Sequence, residues 1–328
     1  MRMIEINEYD ESSMQLAKPV CDSKRRVLLG SGSKLHPKYL EKLIQMGIKY
    51  VFVEDSSSKG ISLDEMLDMP TWMDIITVVE RSFNSVVTNK PLPIVDLQVA
   101  VKKLIEEIKK RDAIMLIPTT AVDSLLTPFA HTVNVTLIAL QIGKKIGLTN
   151  SALNDLGIGC LLHDIGKSKT NVKEEHPEAG FNIIRSNREL SLMSAHIAYQ
   201  HHERLDGTGY PRNLSENDII EYAQICSIAN DYDNFVSIEG VVPHEAIERI
   251  MTFSDTKYSH SLVAAFSQGI ISYPPGTNVK LNIGTGIVTR VESNPHRPIV
   301  KLHKLLKEVD LNKQPTIVIE SILKEKVV

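Results

Sequence analysis

The stretch from about residue 118 to 272 constrains this chain more than any other. It reads as helix after helix, and it holds His131, His163, His176, His196, His201 and His202, six of the eleven histidines, within 72 residues. That is more than twice what an even spread would place there. "HTVNVTLIALQIGKKIGL" sets Val133, Leu137, Leu140 and Ile142 on one apolar side. "TNSALNDLGIGCLLHDIGK" opens on the capping residues Thr149 to Ser151. "HPEAGFNIIRS", "LSLMSAHIAYQHHE", "SENDIIEYAQICSIANDYDNF" and "PHEAIERIM" continue the helical series. Imidazole and carboxylate gathered in one helical body are the ligand types that suit iron, manganese or zinc.

In "CLLHDIGK" an apolar helix runs directly into His163, Asp164 and Lys167. An aspartate buried there without a partner would be costly, and a dication beside it removes that cost. Its two oxygens let Asp164 bridge two ions. Lys167 falls one turn after His163 and can face the same cleft, where an ammonium holds a phosphate oxygen. Taken alone, the His-Asp pair reads more readily as a helix end with solvated polar groups, and the other histidine clusters turn the balance toward metal. His201 and His202 are adjacent and point about 100° apart on a helix, so both can serve if two ions are present. Asp231, in "ANDYD", follows an apolar run as Asp164 does, with Asp233 as the competing choice. His196 lies off the His201 face and reads as structural or exposed.

The flanks have a different texture. Residues 1–60 read as a small α+β unit, with a hairpin in "QLAKPVCDSKRRVLLGSGSKL", a helix in "HPKYLEKLIQMGI" and a strand in "KYVFVED". In that helix Leu40, Leu43, Ile44 and Ile48 hold the apolar spacing. Residues 61–117 read as a mostly helical linker, with Val99, Leu104 and Ile108 as the apolar side of "QVAVKKLIEEIKKRD". Residues 273–328 carry the short β-like runs "NVKLNI", "GIVTRV", "RPIVKL" and "TIVIESI". A net charge of −3 gives no basic field for DNA. The separated Cys21, Cys160 and Cys226 suit a reducing compartment. No apolar run of about 18 residues is present to span a bilayer. "MRMIEINEYDESSMQ" is acidic and unlike a secretory leader. A cytoplasmic protein is expected, without membrane contact. No Walker-type loop is present for ATP-driven chemistry.

"HDIGK" (163–167), "HPEAG" (176–180) and "HHERLDGTGYP" (201–211), with "HTVNV" before them and "ANDYD" after, resemble the HD-GYP family of HD phosphohydrolases. The resemblance covers residues 118–272. It implies a multidomain chain with a central all-α HD-type helical domain, between a small N-terminal α+β unit with its helical linker and a small C-terminal β-rich domain. It implies two divalent metal ions, iron or manganese first, held by His131, His163, Asp164, His176, His201, His202 and Asp231. Asp164 bridges in this scheme and Lys167 assists at the phosphate. Asp206, Gly207, Gly209, Tyr210 and Pro211 form a loop at the cleft rim, with Glu203 behind the ligands or in a salt bridge. The family's partners are cyclic di-GMP and, through the GYP loop, GGDEF-type domains; a homodimer is left open.

The activity implied is metal-dependent hydrolysis of cyclic di-GMP to pGpG, and in some members of the family on to GMP, by a hydroxide bridging the two metals. Three departures qualify the match. "SKTNVKEE" alone separates HDIGK from HPEAG, which shortens the wall of the cleft. "NFVSIEGVVPHEA" stands where the family carries a basic segment that grips the dinucleotide. Thr127 replaces a glutamate one turn before the first histidine, which favours two metals over three. The alternatives are hydrolysis of another nucleotide or phosphoester on the same centre, and a signalling module that binds a cyclic dinucleotide without turnover.

Overall fold

The computed structural model describes residues 1–63, 67–304 and 307–323. The chain divides into two compact units. One gathers Met1–Glu65, Ile117–Thr127 and Ile271–Val328; the other gathers Met66–Leu116 and Pro128–Ile270.

In the first unit the chain begins with β1 (Arg2–Glu5), β2 (Gln15–Leu16), β3 (Val20–Cys21) and β4 (Val27–Leu29). Helix α1 (Pro37–Gln45) and β5 (Tyr50–Glu54) follow. An antiparallel sheet forms in the order β1-β5-β2, with Arg2 opposite Val53 and Gln15 opposite Glu54. Strands β3 and β4 make the expected hairpin. His36 caps α1, Pro37 opens it, and Gly47 leaves it with φ +80°, a conformation that favours a residue without Cβ. Leu43 and Ile48 are buried with Ile4, Leu16, Val51 and Val53, whereas Ile44 faces solvent. Arg2 and Asp55 form a buried ion pair at 2.6 Å beside this core.

The C-terminal part of the same unit is an antiparallel five-stranded sheet. Strands β6 (Asn278–Leu281), β7 (Gly284–Arg290), β8 (Ile299–Leu302), β9 (Glu308–Asp310) and β10 (Ile319–Ile322) lie in the order β10-β6-β7-β8-β9. Val279, Leu281, Val288, Val300 and Leu302 fill one face, as period-2 alternation requires. The short β9 lies among charged residues and carries too little alternation to be visible in the sequence.

The second unit is all helix: α2 (Met69–Val87), α3 (Ile94–Lys109), α4 (Thr127–Lys145), α5 (Asn150–Leu161), α6 (His176–Arg185), α7 (Leu192–Gln200), α8 (Glu221–Asp233), α9 (Pro243–Thr252) and α10 (His260–Gly269). The segment that read as a linker supplies α2 and α3 to this body. The apolar stripe of α3 is Leu97, Ala100, Val101, Leu104, Ile105 and Ile108; Val99 lies outside it and is half exposed. Helix α4 is buried on nearly every side from Ala130 to Gly143, so it is the central rod and His131 lies deep in the body. Thr149 caps α5 as its position suggests, accepting from the Ala152 N–H at 3.3 Å.

A candidate dinuclear metal centre

The site is assembled at three helix ends. Helix α5 stops at Leu161, and the chain passes through His163 and Asp164 into a tight 3-10 turn, Ile165–Ser168. This turn lies directly on the start of α6. A Cβ on Gly166 would sit 1.9 Å from the His176 carbonyl oxygen and 2.6 Å from the Gly180 nitrogen. Only glycine permits that approach, which sets Asp164 beside His176. Helix α7 then ends at Gln200 and presents His201 and His202 to the same place.

Two ligand groups result. Donor atoms of Asp164, His176, His201 and His202 all lie within 4.8 Å of one another, and so do those of His131, His163 and Asp164. Asp164 belongs to both. Its Oδ1 is 3.3 Å from His176 Nε2 and 3.7 Å from His201 Nε2, and its Oδ2 is 3.5 Å from His163 Nε2.

The backbone sets the imidazole tautomers. Nδ1 of His163, His176 and His201 each faces a carbonyl three residues back: Cys160 at 2.7 Å, Lys173 at 2.6 Å and Ala198 at 2.9 Å. A carbonyl only accepts, so each Nδ1 carries the proton and each Nε2 lone pair points inward. His176 Nε2 and His201 Nε2 then face each other at 3.4 Å. Two lone pairs at that distance beside a carboxylate make a pocket for a cation. His163 Nε2 and Asp164 Oδ1 are buried without a hydrogen-bond partner. These orphaned acceptors, with nitrogen and oxygen donors only, fit divalent iron, manganese or zinc.

Electrostatics agree. Burial pushes His163 down to about 3 and also lowers His201 and His202, keeping all three neutral and able to bind metal. Burial alone would raise Asp164, but the imidazoles of His163, His176 and His201 and the Lys167 ammonium hold it well below the usual carboxylate range. Lys167 Nζ lies 2.5 Å from Asp164 Oδ2 while its side chain stays about half exposed.

The late aspartate segment divides its roles. His131 Nδ1 meets Asp233 Oδ2 at 2.6 Å, and His131 Nε2 faces Asn230 Oδ1 at 3.0 Å. Burial lowers His131, but the Asp233 hydrogen bond and charge outweigh it and raise the group. Asn230 and Asp233 are three apart on α8 and share a face, while Asp231 is rotated about 100° from Asn230. Asp231 stands outside both ligand groups; its Oδ2 accepts from Lys257 Nζ at 2.5 Å and from the buried Tyr258 hydroxyl. Sequence reasoning passed over Asn230 because it carries no charge. The i, i+3 pairing with Asp233 was the available signal.

The loop after His202 is tied from within. Glu203, 2% exposed, accepts from the backbone N–H of Arg212 at 2.8 Å and of Leu214 at 3.0 Å. The carboxylate that read as a ligand support or salt bridge is thus a loop anchor, and no ion pair to it occurs among the described residues. A Cβ on Gly209 would lie 2.5 Å from the Glu203 Cα, so the loop packs on the backbone of its own start. Asp206 is exposed and accepts from Arg204 and Thr208. The Tyr210 ring stacks on His202 with centroids 4.5 Å apart. Burial raises the Tyr210 phenol, as do the charges of Asp164, Glu174 and Asp231. His196 is half-buried away from the centre, its ring 5.0 Å from that of Phe181.

The fold and site define an HD domain: residues 129–234 match that family. Within this class the chain is a distant homologue of the HD-GYP cyclic di-GMP phosphodiesterases. It is 26% identical over 176 residues to a cyclic di-GMP phosphodiesterase of Pseudomonas aeruginosa, covering 48% of this chain and 42% of that protein. It is 31% identical over 157 residues to a cyclic di-GMP phosphodiesterase of Thermotoga maritima, covering 42% and 43%. The chain thus spans less than half the length of either relative. In fold it is similar to Bd1817, an HDG"Y"P protein of Bdellovibrio bacteriovorus, with a TM-score of 0.51, 18% identity, and 81% of this chain and 97% of that one covered. Among the described residues no helix is long and apolar enough to cross a membrane.

Proposed function

We propose that this protein is a metal-dependent phosphodiesterase that hydrolyses cyclic di-GMP to pGpG. One observation carries the reading: Asp164 is shared by two buried ligand groups whose imidazole Nε2 atoms turn inward. His176, His201, His202 and Asp164 would hold one dication, and His131, His163 and Asp164 the other, with Asn230 facing the second position. Bound metals of this kind supply Lewis acidity and a nucleophile at neutral pH. Asp233 orients His131 through Nδ1, and the three backbone carbonyls orient the other imidazoles. Lys167, close to Asp164 and half exposed, is placed to offset charge on a phosphate oxygen. The kinship with cyclic di-GMP phosphodiesterases supports the choice of substrate.

The test is direct. Purified protein loaded anaerobically with Fe²⁺ or Mn²⁺ is given cyclic di-GMP, and pGpG and GMP are followed by chromatography. Absence of turnover under reducing conditions refutes the proposal. A second reading, hydrolysis of a different nucleotide phosphoester, is favoured by the stretch after Asp233, which brings no basic cluster. A panel of cyclic dinucleotides and simple phosphodiesters decides: the second reading stands if cyclic di-GMP is clearly not the best substrate.

A further inference from the structure

The short turn between α9 and α10 is tied to both sides of the metal centre. Its backbone is closed on itself: the Lys257 and Tyr258 N–H groups both donate to the Phe253 carbonyl, at 2.9 and 3.2 Å, and the Asp255 N–H donates to the Tyr258 carbonyl at 2.8 Å. Two of its carbonyls hold the loop that follows His202, Thr256 accepting from the Asp206 N–H at 3.0 Å and Lys257 from the Leu205 N–H at 3.4 Å. Three consecutive residues then bond to α8. Lys257 Nζ lies 2.5 Å from Asp231 Oδ2, the Tyr258 hydroxyl donates to the same oxygen, and the Ser259 N–H donates to Gln224 Oε1 at 3.2 Å. Gln224 and Asp231 are two turns apart and share one face of α8. The residue before Asp231 is Asn230, whose Oδ1 faces His131. Lys257 thus binds by its main chain to the loop after His202 and by its side chain to the helix that meets His131.

The fully buried Tyr258 and the Gln224 bond already seat the turn on α8. The Lys257 and Asp231 side chains are only 13% and 19% exposed, so their pair is largely withdrawn from water. Such a pair adds little net stability, because desolvation offsets the attraction, but separating its members leaves each charge uncompensated. It therefore penalises sliding of the loop along α8 and fixes register. From this geometry we propose that the Lys257–Asp231 ion pair is a latch that holds the loop after His202 against α8 and so sets one ligand group at a fixed spacing from the other. Both are positioning residues: they stand outside the two ligand groups and act through His202 and Asn230. The inference rests on the two-metal reading of the centre and not on the substrate.

The experiment uses the full chain loaded with Mn²⁺, with metal content checked by elemental analysis. Lys257→Met and Asp231→Asn each remove one charge at nearly constant volume, and the double variant removes the pair. Two readouts are taken: hydrogen exchange at the Leu205 and Asp206 amides, and the Mn²⁺ paramagnetic resonance spectrum, which reports coupling between neighbouring ions. Exchange at the two amides should rise about tenfold in each single variant and no further in the double one, because the two charges act as a unit. The spectrum should change in all three while metal content stays native. Lys257→Arg keeps the charge and should restore native exchange and the native spectrum. Arg249→Met, which removes the half-exposed pair with Glu239 on a neighbouring element, should match the native protein in both. Native exchange at Leu205 and Asp206 in Lys257→Met overturns the proposal. So does a native spectrum in that variant, or an effect in the double variant equal to the sum of the single ones. A native protein that binds one Mn²⁺ refutes the two-metal reading instead, and the latch then stands or falls on the exchange result alone.

Discussion

Replacing Glu203 tests whether a single buried carboxylate holds the loop that borders the metal centre. Its two oxygens accept from the Arg212 and Leu214 N–H groups at 2.8 and 3.0 Å, and the residue is 2% exposed. Hydrogen bonds to a charged acceptor contribute about 1.5–3 kcal/mol each. Arg212 is itself exposed, so its freed N–H can find water, and the low end applies. Removing both bonds in Glu203→Ala should therefore cost roughly 2–3 kcal/mol of local stability, or about 30- to 150-fold in the opening equilibrium of the loop. Glu203→Gln keeps one acceptor oxygen and sets its amide hydrogens against the second N–H, so it should lose about half of that free energy or more. Hydrogen exchange of peptides covering residues 204–214 reads the effect, with α4 peptides as an internal standard. Protection should fall in the loop and hold in α4. Since Tyr210 rides on this loop, turnover should fall with loop protection. Unchanged exchange over 204–214 in Glu203→Ala would refute the anchor role.

Asp164→Ala should abolish binding of both metals, because both ligand groups use that side chain, whereas His202→Ala should remove at most one; elemental analysis of the purified variants distinguishes the two. Asn230→Ala should lower occupancy at the His131–His163 position by about one equivalent, while Asp231→Ala should leave metal content near the native value; the reverse pattern would assign the ligand role to Asp231. In the other unit, burial acts to raise Asp55, but hydrogen bonds from Ser58 and the partner Arg2 outweigh it and lower the carboxyl below its ordinary value. Its contribution is therefore complete above the unfolded carboxyl value near 3.9 and is lost as pH falls through the lower folded value. Asp55→Asn should destabilise β1 and β5 at pH 7, with the difference from native shrinking toward pH 3 in hydrogen-exchange or proteolysis assays.

Periodicity and residue chemistry, read along the chain, already specify a helical body with His-Asp segments, a small α+β start and a β-rich end. Those features are local: apolar spacing of 3.6 or 2, caps such as Thr149, and imidazole beside carboxylate announce themselves within a few residues. The stripe of α3 was only partly legible, because Val99 is apolar yet lies outside the arc that Leu97, Val101, Leu104 and Ile108 bury. Strand β9 was hidden because three residues in a sheet leave almost no pattern. The site divides in the same way. His163, Asp164, His176, His201 and His202 could be named because their chemistry is conspicuous. That Asn230 faces His131 while Asp231 turns toward Lys257 and Tyr258 depends on the rotation of α8 against α4. That Glu203 anchors a loop depends on which backbone N–H groups return to meet it from residues 212 and 214. The sequence by itself determined the ligand chemistry and the helical frame. Tertiary structure alone decided which polar atoms meet, because a one-residue step on a helix turns a side chain by about 100° and sends it to a different neighbour.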